Sequence, residues 1–221
     1  FEDMGGFLRK IIYETYKQPI VESFIPNKKT ISIHSNPPGI LKTPCITWSG
    51  EPYRVSKRDN KCMINLLTQL PQRENDFWVP FGIVDFNKEK LDKLLNKNFK
   101  KMKDKSKFLA YMNSNCVKER ETFFAEMRKK RKDADGLGKC SNTIERENDR
   151  GEYKNNGELL EDYRFVIAME NTKKDGYITE KIINAYLCGA IPIYWGSSNI
   201  SEIFNPETFI NVDDFKTYKD C

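Results

Sequence analysis

Tyr163 to Gly196, YRFVIAMENTKKDGYITEKIINAYLCGAIPIYWG, constrains the fold of this chain more than any other stretch. Arg164 to Met169 is a compact apolar run of strand length. Glu170 to Gly176 is charged, polar and ends in Gly, which marks a loop. Thr179 then offers an N-cap, and Ile178, Ile182, Ala185, Tyr186 and Gly189 recur at helical spacing, with Gly189 placed to end the helix. Ala190 to Trp195 reads as a second buried strand. Strand, crossover helix and strand predict a right-handed parallel unit. In open sheets of this kind ligands bind outside the carboxyl ends of the strands. The polar residues of the first loop therefore fall where a ligand would sit. Glu180 and Lys181 occupy the helix's first turn, where free N–H groups and the dipole favour an anion.

The remaining chain reads as further α/β units. Residues 1–86 are expected to form part of an N-terminal α/β domain. Within it, Gly6–Tyr16 could be helix, Thr30–His34 and Cys45–Trp48 short strands, Asn60–Leu70 weakly helical, and Phe77–Val84 an apolar run punctuated by Pro80. Residues 87–107 carry leucines at 91, 94 and 95 amid lysines and read as an exposed helix or linker. A second domain, 108–221, opens with strand Phe108–Met112, loop Asn113–Cys116 and helix Glu119–Arg131. Residues 133–157 are rich in Gly, Asn and charge and read as loop with one short element. A short strand is expected at Phe209–Val212. There is no internal repeat.

The net charge is +5, and the excess is local: residues 87–107 hold nine Lys against Glu89, Asp92 and Asp104, and Arg128–Lys132 is five basic residues running. Nucleic-acid binding would call for interleaved aromatics or a docking motif, and neither is evident. A solvated face is the simpler reading, with a contribution to attracting an anionic substrate next. No apolar run approaches the roughly 20 residues of a membrane span. The chain begins with Phe and is expected to be an excerpt of a longer protein, incomplete at both ends, so any membrane anchor would lie in a segment absent from it. Compartment stays open. The six Cys, at 45, 62, 116, 140, 188 and 221, include no CxxC, and His34 is the only His, which argues against a Cys/His zinc site. The even count permits disulfides without defining the pairing. Cys188 reads as a small core residue.

Asn171, Tyr177, Ile178-Thr179-Glu180-Lys181-Ile182-Ile183 and Ile191-Pro192-Ile193-Tyr194-Trp195-Gly196-Ser197 together resemble the donor signature of the α1,3/α1,4-fucosyltransferases, glycosyltransferase family ten. Phe204-Asn205-Pro206 through Phe209–Phe215 continues the likeness. Trp48-Ser49-Gly50-Glu51 and Ser114-Asn115-Cys116 with Arg120 and Phe124 fit in the same order. The resemblance is densest over 160–216, looser over 108–142 and thinnest before 90. It implies two Rossmann-like domains facing a cleft (GT-B type), with residues 108–221 binding GDP-fucose and the N-terminal part on the acceptor side. It also implies an inverting transfer of L-fucose to a hydroxyl, O3 by the family pattern, of a glycan acceptor containing N-acetylglucosamine or glucose. Location would be the lumenal side of the Golgi membrane in a eukaryote, or cytoplasmic or membrane-peripheral in a bacterium or virus.

Such a transfer needs cations or N–H donors for the departing diphosphate, a base for the acceptor hydroxyl and negative charge near the oxocarbenium ion. The resemblance implies no obligate metal, and neither the adjacent Asp213-Asp214 nor Asp133-Ala134-Asp135 is a convincing metal pair. Arg120, at the start of a helix, could take phosphate oxygens through its fork; alternatively it is a surface Arg. Lys181 is a cation in a first turn, which a bound diphosphate would explain; alternatively it is solvated and paired with Glu170 or Glu180. Glu180 would contact donor hydroxyls and steady the transition state, or merely stabilise the helix start. Asn171 and Tyr177 would line the nucleotide site with Ser114 and Asn115, or be a turn residue and a core-edge aromatic. Glu51 aligns with the catalytic base, with Pro52 where bacterial members commonly carry Asn; a plain loop Glu is the alternative. Trp48 and Trp195 could stack sugars, though Trp195 also suits a core closure. A catalytically silent GDP-sugar or glycan binder is the competing function.

Overall fold

A computed structural model of the chain describes residues 32–35, 45–49, 63–84, 86–96, 98–144 and 159–221. Contacts divide the chain into two units: 1–85 with 174–178, and 86–173 with 179–221. The helix expected at Gly6–Tyr16 and Glu51 lie outside the described residues.

Among the described residues the first unit holds four strands, β1 (Ser32–Ser35), β2 (Cys45–Ser49), β3 (Ile64–Leu67) and β4 (Asp76–Trp78). They pair in the order β1-β2-β3-β4, all parallel. Asn60–Leu70, expected to be weakly helical, thus contains a strand instead. The reason is a polar ladder that only a sheet can satisfy. Register sets Thr47 beside Asn65 and Asn65 beside Asp76. The buried Thr47 hydroxyl donates to Asn65 Oδ1 (2.8 Å), and Asn65 Nδ2 donates to Asp76 Oδ1 (2.9 Å). A buried amide without such partners would cost about 1–3 kcal/mol, so Asn65 favours the strand that supplies them. Segment 174–178 joins this unit: Leu70 N–H donates to Asp175 O (3.0 Å), Trp78 Nε1–H to Gly176 O (2.9 Å) and Gly82 N–H to Ile178 O (3.0 Å).

The second unit contains α1 (Lys88–Asn96), β5 (Lys107–Tyr111), α2 (Lys118–Lys130), β6 (Ala134–Gly136), β7 (Tyr163–Met169), α3 (Glu180–Leu187), β8 (Ile191–Trp195) and β9 (Ile210–Asn211). Its sheet runs β6-β5-β7-β8-β9, with every pair parallel. Successive strand residues point to opposite faces, and both faces are covered. Leu109, Tyr111, Ile167, Met169 and Ile193 join Phe123, Phe124 and Met127 of α2 in one core. Ala110 and Val166 join Leu160, Ala185, Cys188 and Ala190 in another. Burial on both sides explains why β7 reads as a continuous apolar run.

The helix expected across residues 87–107 is confined to α1, which buries no residue, and Lys107 already opens β5. Lys105 departs from the solvated lysines around it. It is 1 % exposed and donates to Cys188 O (2.9 Å) and Glu161 O (2.5 Å). Its cation meets the Cys188 carbonyl at the end of α3, where the helix dipole favours positive charge. Burial pulls its pKa down, against the opposing pull of Cys188, Glu161 and Asp162.

Gly189 ends α3 as the sequence indicates, with φ +62°. A Cβ there would also stand 2.5 Å from Phe99 Cβ. The left-handed backbone alone costs an Ala about 1–2 kcal/mol. Gly189→Ala is therefore expected to lower Tm by roughly 2–8 °C, measured by thermal unfolding.

Candidate functional site

The carboxyl ends of neighbouring parallel strands β5 and β7 bring together two loops. Arg120 reaches into them from the first turn of α2. It is 0 % exposed, so the surface alternative does not hold. Its Nη1 donates to Asn113 Oδ1 (2.8 Å), Asn171 Oδ1 (2.9 Å) and Met169 O (3.3 Å), and its Nη2 donates to Asn115 O. The buried Nε has no partner, and no carboxylate among the described residues pairs with the guanidinium. A buried charge without a counter-ion is expensive, several kcal/mol after relaxation. An incoming anion would relieve that cost. The loop after β5 is tied down: Cys116 forms a disulfide with Cys140, and Cys140 N–H donates to Asn113 O (3.0 Å). That pairing was not readable from spacing.

After β7, Glu170 is wholly buried. It accepts from Thr179 N–H (2.7 Å) and from the Thr179 hydroxyl (2.7 Å). Thr179 does stand at the N-cap position, but its side chain makes no cap bond to the helix; the hydroxyl turns to Glu170 instead. Lys181 Nζ lies 3.4 Å from Glu170 Oε2 and 3.4 Å from Glu180 Oε1, and donates to Thr179 Oγ1 (3.0 Å). The solvated alternative for Lys181 fails, because its side chain is only 19 % exposed; the pairing it named exists with both acids. Burial pushes the Glu170 carboxyl up, against the pull of the Lys181 ammonium and the Thr179 donors. For Lys181, burial lowers the pKa, but the Glu170 and Glu180 carboxylates together outweigh it, and the ammonium is held charged. Arg120 acts on Lys181 as a like charge, so the two cations share one neighbourhood. Gly196 makes room for this arrangement: a Cβ there would meet Glu170 Cγ at 2.7 Å and Tyr194 OH at 2.7 Å.

The second unit thus gathers Asn115, Arg120, Asn171, Glu180 and Lys181 of the expected residues, with Ser114 exposed on the same loop. Tyr177 is buried and clusters with the first unit. Glu51 is outside the described residues. Trp48 is half-buried, and Trp195 packs against the core of the second unit. Sequence reasoning missed Glu170 and Asn113 as site residues. An acid directly after a run of buried apolar strand residues was the available signal for Glu170. Asn113 was read only as the first residue of the loop Asn113–Cys116. The acidic pairs are occupied otherwise: Asp213 pairs with Lys173 (2.7 Å), Asp133 with Arg131 (2.7 Å), and Asp135 accepts from Tyr163 OH (2.6 Å). Cys116, Glu121 and Cys140 cluster closely, but the two sulfurs are bonded to each other.

Two parallel α/β units, one with buried cations at the carboxyl edge of its sheet, define a Rossmann-like protein of the GT-B type, the fold class expected from the sequence. Residues 102–221 match the family described as glycosyltransferase family 10 (fucosyltransferase) C-term, and the chain belongs to that family. The chain is similar to the α-(1,3)-fucosyltransferase FucT of Helicobacter pylori, 50 % identical over 68 residues, 31 % of this chain and 14 % of that protein. It is similar to an α-(1,4)-fucosyltransferase of Arabidopsis thaliana, 42 % identical over 53 residues, 24 % of this chain and 13 % of that protein. The crystal structure of an α1,3-fucosyltransferase with GDP superposes with a TM-score of 0.74 at 25 % identity, covering 99 % of this chain and 72 % of that one. The aligned stretches thus span only a small part of the two sequence relatives.

Proposed function

We propose that this chain transfers L-fucose from GDP-fucose, with inversion, to O3 of a glycan acceptor containing N-acetylglucosamine or glucose. The observation that carries this reading is the buried Arg120 guanidinium, which has four oxygen acceptors and, among the described residues, no counter-ion. Diphosphate is the anion that the family's donor would bring to it. Arg120 and Lys181 neutralise the leaving GDP, a task that other sugar-nucleotide enzymes give to a metal, so no obligate metal is required. Ser114, Asn115 and Asn171 line the donor site. Glu180 contacts donor hydroxyls, and its carboxylate stabilises the oxocarbenium ion. Glu51 takes the proton of the acceptor hydroxyl as general base.

The test is GDP release by the full chain with GDP-fucose and N-acetyllactosamine, followed by analysis of the product linkage. The expected result is one fucosylated acceptor per GDP, an α1,3 bond, and a rate unchanged by EDTA. Absence of GDP binding contradicts the donor assignment; GDP binding without transfer favours a silent GDP-sugar binder. Loss of rate in EDTA contradicts the metal-free mechanism, and an α1,4 product contradicts the O3 assignment.

A further inference from the structure

Glu170 is a fully buried acid that no step above uses. It could serve only to seat the start of α3 through its two bonds from Thr179. Two further observations go beyond that role. Its second oxygen also stands 3.4 Å from Lys181 Nζ, and the Thr179 hydroxyl bridges the two by donating to Glu170 and accepting from Lys181. Gly196, backed by Tyr194, leaves the space that the Glu170 side chain fills. The groups facing the ammonium are Glu170, Glu180 and Arg120, with Thr179 between, and Tyr194 faces Glu170 from β8. Of the two acids, Glu170 is the one held by directed bonds in a place closed to water. Glu180, which also pairs with Lys181, is partly exposed.

We propose that Glu170 is a positioning residue for donor binding: its buried carboxylate holds the Lys181 ammonium, directly and through Thr179, at the start of α3, where it meets the β-phosphate of GDP. The inference rests on the reading that Lys181 faces the diphosphate. Removing the Glu170 charge while keeping its shape leaves Lys181 with Glu180 alone against the repulsion of Arg120. Lys181 then loses both its place and part of its charge at alkaline pH. Binding of GDP suffers, and binding of GMP, which has no β-phosphate, does not.

The experiment is titration of GDP and GMP into the full chain and into Lys181→Ala, Glu170→Gln and Gly196→Ala, from pH 7 to 10. Lys181→Ala is expected to weaken GDP about tenfold and GMP less than about twofold, consistent with one charge-assisted hydrogen bond. Glu170→Gln is expected to reproduce that selectivity, to lose GDP affinity at a lower pH than the native chain, and to add nothing to Lys181→Ala in the double variant. Gly196→Ala keeps the carboxylate but displaces it, and is expected to show the same selective loss; it serves if Glu170→Gln does not fold. If Lys181→Ala weakens GDP and GMP equally, the placement of Lys181 is wrong. If Lys181→Ala is selective but Glu170→Gln and Gly196→Ala leave the GDP-to-GMP ratio unchanged, whatever their Tm, Glu170 only seats the helix and the inference is overturned.

Discussion

Arg120→Lys lowers affinity for GDP by about 30–100-fold and leaves the chain folded. The substitution keeps the charge but removes the planar fork. A lysine offers three donors on a flexible stem, where Arg120 now satisfies Asn113, Asn115, Met169 and Asn171 at once. Each charge-assisted hydrogen bond lost to a phosphate oxygen is worth about 1.5–3 kcal/mol, so loss of one of the fork's two phosphate contacts, with the lysine ammonium keeping the other, accounts for the expected range. Arg120→Ala is the poorer experiment, because it opens a cavity and orphans buried acceptors, and its effect on binding would be mixed with unfolding. Isothermal titration checks the lysine variant, with thermal unfolding as the control. Affinity for GDP within a few-fold of native would remove Arg120 from the diphosphate site.

Glu51→Gln is expected to cut transfer by about 10²–10⁴-fold, the usual contribution of a general base, with GDP affinity held within a few-fold. The amide keeps the size of the side chain and cannot accept the acceptor's proton. The separation of effects is the point: a base acts on the acceptor hydroxyl, so the donor should bind as before. A GDP-release assay beside a GDP titration reads both quantities. Native turnover in the variant would end the base assignment, and a parallel loss of GDP affinity would place Glu51 in donor binding instead.

Strands and helices of the second unit were legible where burial on both faces forces a continuous apolar run, as in Tyr163–Met169, or where a glycine must adopt a positive φ, as at Gly189. Asn65 misled because a polar residue at a core position reads as a break in a strand pattern, and its satisfaction depends on Thr47 and Asp76, 18 and 11 residues away. Thr179 was legible as a helix boundary but not as a bridge between Glu170 and Lys181. Local spacing reveals where a cap can stand, and a neighbouring buried acid decides what its hydroxyl does. Arg120 stayed ambiguous for a related reason: a helix rich in charge gives no hint which of its cations turns inward, and Asn113 and Asn171 come from loops far apart in sequence. The Cys116–Cys140 pairing, 24 residues apart, likewise needed the fold to bring β5 and β6 side by side.

A crystal structure of the full chain with GDP tests the central claim most directly. The expected result is β-phosphate oxygens within about 3 Å of both the Arg120 guanidinium and Lys181 Nζ, with Glu170 still bonded to Thr179. A diphosphate bound elsewhere, or touching neither cation, would contradict it.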